Sequence, residues 1–130
     1  MSITILTVDD EDDVRRLIAT KLTKAGFDVV QAVDGEDGVA AAKTSNPDLV
    51  IMDVNMPKMD GFTAAKLIRE ALDPAPIVLM LTANGTEADV MKGLSGGAED
   101  YIVKPFAPRD LISRVKVALM KAGKQPPAGA

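Results

Sequence analysis

The sequence predicts a single α/β domain, a doubly wound parallel sheet in which five strands alternate with five helices. Three observations carry this expectation. Short apolar runs recur at 3–8, 28–33, 49–52, 77–81 and 101–103, with segments of helical periodicity between them. The strongest runs are nearly continuous rather than alternating, which marks strands covered on both faces. With 130 residues, 47% of them hydrophobic and 26% charged, the chain has the size and balance of one globular domain.

The elements follow in order. Ile3 to Val8 reads as a buried strand. Val14, Leu17, Ile18 and Leu22 then recur at helical spacing, with Gly26 as a C-terminal stop signal. Asp28 to Val33 is a weaker second strand, followed by an alanine-rich helix from Asp34 to Lys43 that Asn46-Pro47 breaks. Leu49 to Met52 is the third strand, ending at Asp53. A loop from Asn55 to Gly61 leads to a helix with Ala65, Ile68 and Leu72 on one face. Pro74 and Pro76 precede the fourth strand, Ile77 to Leu81, which ends at Thr82. Val90, Met91 and Leu94 mark a fourth helix, stopped by Gly96-Gly97. Tyr101 to Val103 is the fifth strand, ending at Lys104-Pro105, and a last helix carries Leu111, Ile112, Val115, Ala118 and Leu119. The domain is expected to span 1–122, with 123–130 a disordered tail or the start of a linker.

Composition excludes several chemistries. The chain has no cysteine and no histidine, so thiol and imidazole catalysis and Cys/His zinc sites are out. The net charge is −4, which argues against direct nucleic-acid binding by this domain. Five of the nineteen acids are consecutive, Asp9 to Asp13, and outside that block acids and bases nearly balance. A concentrated acidic patch without histidine points to a hard cation. No apolar stretch approaches the ~20 residues of a membrane span, and nothing at the start reads as a signal peptide, so a cytoplasmic location is expected.

In open parallel sheets the site lies beyond the carboxyl ends of the strands. Here those ends carry Asp9-Asp10, Asp34-Gly35, Asp53, Thr82 and Lys104. Neighbouring strands lie about 4.8 Å apart, so adjacency of the first and third would crowd Asp9, Asp10 and Asp53 into one pocket. Three carboxylates there repel one another unless a cation neutralises them. Mg²⁺ suits such a site because it needs few protein carboxylates and keeps positions open. The backbone carbonyl of Asn55 can supply a further oxygen. Lys104 offers a point charge and Thr82 a hydroxyl to phosphate oxygens. A metal site, a carboxylate nucleophile, a cation and a donor are the parts that phosphoryl transfer needs. Asp53, which ends its strand without an adjacent acid, is the candidate nucleophile, and Asp9-Asp10 the candidate metal pair. Taken singly these residues are ordinary turn, cap and core residues. Glu11, Asp12 and Asp13 are expected to be a solvated helix N-terminus. What singles out the set is that four separate strand ends carry complementary parts.

These residues resemble one family. Val8-Asp9-Asp10-Glu11, Met52-Asp53-Val54-Asn55-Met56-Pro57, Asp60-Gly61, Leu81-Thr82-Ala83, Gly97-Ala98-Glu99-Asp100-Tyr101 and Lys104-Pro105-Phe106 are similar to the motifs of CheY-like receiver domains of two-component response regulators. The resemblance spans residues 3 to about 121. It implies a flavodoxin-like (βα)5 sheet of order 2-1-3-4-5 and a phosphorylation-activated switch in a two-component phosphorelay. It implies that Asp53 is the phosphoacceptor, charged by a sensor histidine kinase, a phosphotransfer protein or a small phosphodonor. It also implies Mg²⁺ on Asp10, Asp53 and the Asn55 carbonyl with Asp9 acting largely through water, Lys104 on the phosphoryl group, and a cis bond before Pro105. Thr82 and Tyr101 would be the switch pair that reshapes the surface of the fourth helix, fifth strand and fifth helix for a downstream target. Asn55 and Asn84 would tune self-dephosphorylation. The only catalysis implied is that of the domain's own phosphorylation and dephosphorylation.

The stretch 97–119 is similar to receivers of winged-helix regulators, in which Asp100, Asp110, Arg114 and Lys121 would join a phosphorylation-dependent homodimer through charged pairs. Val90 and Gly96 lack the charges such a dimer uses on the fourth helix. Two other classes fit less well. A haloacid-dehalogenase-type phosphohydrolase needs a second acid where Asn55 stands, and a flavin module would set its phosphate against Asp9-Asp10.

Overall fold

The structure, a computed structural model, describes residues 2–83 and 98–127. Its elements are β1 (Thr4–Val8), α1 (Asp12–Lys24), β2 (Asp28–Ala32), α2 (Gly35–Ser45), β3 (Leu49–Asp53), α3 (Gly61–Ala71), β4 (Ile77–Thr82), β5 (Asp100–Val103) and α4 (Pro108–Lys121). The strands form one parallel sheet in the order β2-β1-β3-β4-β5. This is the expected doubly wound, flavodoxin-like arrangement. The helix expected around Val90 to Leu94, with Asn84 and Gly96-Gly97, lies outside the described residues.

Alternation along the strands builds two cores. Ile5, Leu49, Ile51, Leu79, Leu81 and Ile102 face α1 and α4, where Ile18, Leu22, Leu111, Val115 and Leu119 meet them. Leu6, Val8, Val50, Met52, Val78 and Met80 face α2 and α3, meeting Ala42, Ala64, Ala65 and Ile68. Period-two side-chain placement combined with cover on both faces is why the sequence shows unbroken apolar runs. The edge strands β2 and β5 are less buried, which explains their weaker sequence signal.

Local chemistry sets the element ends. The Asp34 carboxylate accepts from the backbone N–H of Asp37, capping α2, and Asp60 does the same for Thr63 at the start of α3. Asn46 closes α2 in the left-handed conformation, and Gly26, at φ +97°, follows the C-cap of α1. Gly61 is a close-approach position. A Cβ there would stand 2.2 Å from the carbonyl oxygen of Asp53, so α3 begins directly against the end of β3.

Two expectations are corrected. Leu17, placed on the apolar stripe of α1, is 42% exposed, because the buried face runs through Arg15, Ile18, Ala19 and Leu22. Val33 lies beyond the end of β2 and is exposed. Beyond α4, Lys124 pairs with Asp48 at 2.9 Å, and its backbone N–H donates to the Leu119 carbonyl. Pro127 lies against Gly26. These contacts sit at the amino-terminal edge of the sheet, opposite the ends that carry the acids.

Candidate functional site

Strand register brings the chemistry together. Val8 pairs with Met52, Asp53 with Leu81, and Thr82 with Val103. Asp9, Asp53, Thr82 and Lys104 therefore all stand at one rim. Backbone bonds continue the ladders past the strands: Asp9 N–H to the Ala32 carbonyl (3.2 Å), Val54 N–H to Leu81 (2.8 Å) and Lys104 N–H to Thr82 (2.7 Å). Lys104–Pro105 is cis, as the resemblance implies.

Asp9 and Asp53 are buried and Asp10 is exposed. Each of the three offers a carboxylate oxygen, all within 4.8 Å of one another. Such a set, two of its carboxylates buried and one exposed, fits a divalent ion with oxygen ligands. Asn55 follows Asp53 by two residues and is exposed.

The Lys104 ammonium stands among the acids. Its Nζ lies 2.9 Å from Glu11 Oε1, 3.1 Å from Asp9 Oδ2 and 3.4 Å from Asp53 Oδ1. Burial, reinforced by the neighbouring charge of Asp9, pushes the Asp53 carboxyl up to about 7 although Lys104 pulls it down. Burial also raises Asp9, against the Glu11 N–H and Lys104. For Lys104, burial acts downward but is outweighed by Glu11, Asp53 and Asp9, so its ammonium is held above the usual lysine range. One internal cation thus faces more negative charge than it can neutralise.

Glu11 corrects another expectation. Its carboxylate is not just part of a solvated helix end, because it bonds the ammonium of a residue 93 positions away. Asp12 instead pairs with Arg15 at 2.8 Å, and Asp13 is exposed. Arg15 was not singled out in the sequence. It is buried, and its guanidinium donates to the Asp9 carbonyl oxygen (3.0 Å) and to Gln31 Oε1 (3.2 Å), tying α1 to the ends of β1 and β2.

Thr82 is buried at the end of β4. Tyr101, opposite Met80 on β5, packs its half-buried ring against the core under α2 and α3. On the outer face of β5 and α4, Arg114 Nη1 donates to both Asp100 oxygens at 3.0 Å, and Nε donates to Asp110 Oδ2 at 3.2 Å. Lys121 lies 3.9 Å from Glu99.

Fold and site together define the class, a small doubly wound α/β domain whose carboxyl rim gathers three acids beside an ammonium. The family model "Response regulator receiver domain" matches residues 5–116, and the chain belongs to that family, the phosphoryl-accepting switches of two-component response regulators. It is 44% identical over 118 residues to the alkaline phosphatase synthesis transcriptional regulatory protein PhoP of Bacillus subtilis, covering 91% of this chain and 49% of that protein. The chain spans about half the length of the curated relatives it matches first. Among solved structures it is similar to the Vibrio cholerae chemotaxis protein CheY4 (TM-score 0.86, 32% identity, 92% of this chain and 100% of that one). It is also similar to the BeF3-activated DrrB receiver domain (TM-score 0.83, 32% identity, 92% and 99%). No helix among the described residues is long and apolar enough to cross a membrane.

Proposed function

We propose that Asp53 is the phosphoacceptor and that the site works with Mg²⁺. The observation that carries this is the convergence of Asp9, Asp10 and Asp53 within 4.8 Å, where among the described residues the Lys104 ammonium alone faces them and leaves their charge under-neutralised. Asp10, Asp53 and the Asn55 carbonyl would hold the ion, with Asp9 acting through water. When bound, the ion neutralises the carboxylates and the phosphoryl oxygens.

The chain's own residues do the rest. An Asp53 carboxylate oxygen attacks phosphorus, and the bond from phosphorus to the donor breaks. With a phosphohistidine donor the leaving imidazole takes up a proton. Lys104 stabilises charge on a phosphoryl oxygen, and the Thr82 hydroxyl donates to another. Hydrolysis of the acyl phosphate by water returns Asp53 and releases phosphate, so turnover is confined to the domain's own switch.

The partners in this reading are a sensor histidine kinase or phosphotransfer protein and a downstream protein target. Thr82 and Tyr101 link the phosphoryl group to the surface that includes β5 and α4. A phosphorylation-dependent homodimer on that surface would require Arg114 to exchange its bonds with Asp100 and Asp110 for bonds to a second copy. We place the domain, residues 1–122, in the cytoplasm. The net charge of −4 supports protein partners rather than direct nucleic-acid contact.

Acetyl phosphate or beryllofluoride with Mg²⁺ tests the reading. Asp53→Asn should lose modification and binding, and acceptance of phosphate by Asp53→Asn at the wild-type rate overturns the assignment. Sedimentation with and without beryllofluoride tests the dimer; an unchanged monomer rules it out.

A further inference from the structure

Glu11 occupies an unusual position for a helix-capping residue. It is the N-cap of α1, yet its side chain makes no cap hydrogen bond. Its backbone is fixed, because its N–H donates to Asp9 Oδ1 at 2.9 Å and its carbonyl accepts from the Arg15 N–H at 3.0 Å. From that fixed base the carboxylate reaches Lys104, and at 2.9 Å it makes the shortest of the three contacts to the ammonium. Hydrogen bonds run from Nζ to Glu11 and Asp9, while Asp53 is met as an ion pair at 3.4 Å. The ammonium lies within 3.4 Å of Glu11, Asp9 and Asp53, so an oxygen arriving on Asp53 shares its charge and its position with the two acids already hydrogen-bonded to it. Asp9 is buried and cannot withdraw. The Glu11 side chain is 60% exposed and can release Lys104 into solvent at little cost.

We propose that Glu11 is a positioning residue that holds Lys104 in the resting state and sets the cost of transferring the ammonium to a phosphoryl group on Asp53. This rests on the phosphoacceptor reading and adds a regulator to it. A half-exposed ion pair is a weak restraint, so the effect is a tuning of affinity rather than a block.

The test is equilibrium binding of beryllofluoride to the whole chain at saturating Mg²⁺, read by fluorine NMR. Glu11→Gln should tighten binding about two- to fivefold. Glu11→Asp keeps the charge but shortens the arm by a methylene, so it should tighten binding as well. Wild-type affinity in both variants overturns the proposal. Tightening in Glu11→Gln alone also overturns it, because that result is simple charge repulsion. In a Lys104→Met background Glu11→Gln should change nothing, and an undiminished gain there overturns it too.

A second readout needs neither metal nor anion. The Lys104 ammonium, followed by nitrogen-15 relaxation in the metal-free protein, should be ordered in the wild type and more mobile in both Glu11 variants. Unchanged order overturns the proposal. If the wild type binds no beryllofluoride, or Asp53→Asn binds it equally well, the phosphoacceptor reading fails, and the ammonium dynamics alone then decide the role of Glu11.

Discussion

The guanidinium of Arg15 donates to the backbone carbonyl of Asp9 at 3.0 Å, beneath the turn that presents both Asp9 and Asp10. A buried cation therefore fixes the backbone from which two of the three carboxylates of the site project. Arg15→Ala leaves that carbonyl without its donor and opens a space at the ends of β1 and β2. It should cost about 2–3 kcal/mol in denaturant unfolding. It should also weaken Mg²⁺ binding by roughly tenfold. Arg15→Lys, which keeps the charge but loses the fork, should recover part of both. Unchanged Mg²⁺ affinity in Arg15→Ala would separate the residue from the site.

Asp53 gives the metal-free protein a pH-dependent stability. Its folded-state value of about 7 lies above the ordinary 3.8, so the folded state binds a proton more tightly than the unfolded chain. The contribution of Asp53 is then full below about pH 4, falls as pH rises toward 7, and is flat above. Asp9, shifted the same way, adds to the slope. The loss should be on the order of 2–4 kcal/mol across that window. Asp53→Asn should flatten much of the curve and raise the melting temperature at pH 8, and Mg²⁺ should restore the wild type there. Thermal melts in chelator from pH 4 to 8 check this; a curve that rises with pH would contradict it.

Asp10 and Asp13 lie on the same acidic run with different surroundings. Asp10 belongs to the cluster of converging oxygens, whereas Asp13 is exposed in the first turn of α1. Asp10→Ala should weaken Mg²⁺ binding by at least about tenfold and Asp13→Ala by less than about twofold. Titration calorimetry of the two variants measures the difference, and equal losses would point to diffuse charge rather than ligation.

Gly61 has no room for a side chain. A Cβ would meet the Asp53 carbonyl oxygen at 2.2 Å and the Val54 Cα at 2.9 Å, both backbone atoms that cannot rotate away. Gly61→Ala should destabilise the fold by about 1–3 kcal/mol and slow phosphorylation by shifting Asp53. Gly38→Ala, whose nearest neighbours are Val8 methyls at 3.0 and 3.1 Å, should cost less. Urea unfolding compares them.

The parts of this molecule legible in its sequence are those set by local pattern. Ile3–Val8, Leu49–Met52 and Ile77–Leu81 stand out because central parallel strands bury both faces, and the residue after each run falls at the functional rim. Asp9, Asp53 and Thr82 are legible that way, and Lys104 follows the weaker run of the edge strand β5. Glu11 is not legible, because its partner lies 93 residues away and an acidic residue before a helix has a sufficient local explanation. Arg15 was hidden by its type, although its position was a signal: it shares the helical stripe of Ile18, Ala19 and Leu22, where a charge must find buried partners. Leu17 misleads for the opposite reason, being apolar on a face that no element among the described residues covers.

The tight seat of Gly61 on Asp53 has a mechanical consequence. The end of β3 and the start of α3 are wedged together, with the Gly61 N–H also donating to the Val54 carbonyl at 2.9 Å. That flank is a rigid anvil: the backbone of Asp53 has no room to move toward α3. On its other side the end of β3 meets β4 through the Val54 N–H to Leu81 carbonyl bond at 2.8 Å, so that flank is held by one hydrogen bond and not by a wedge.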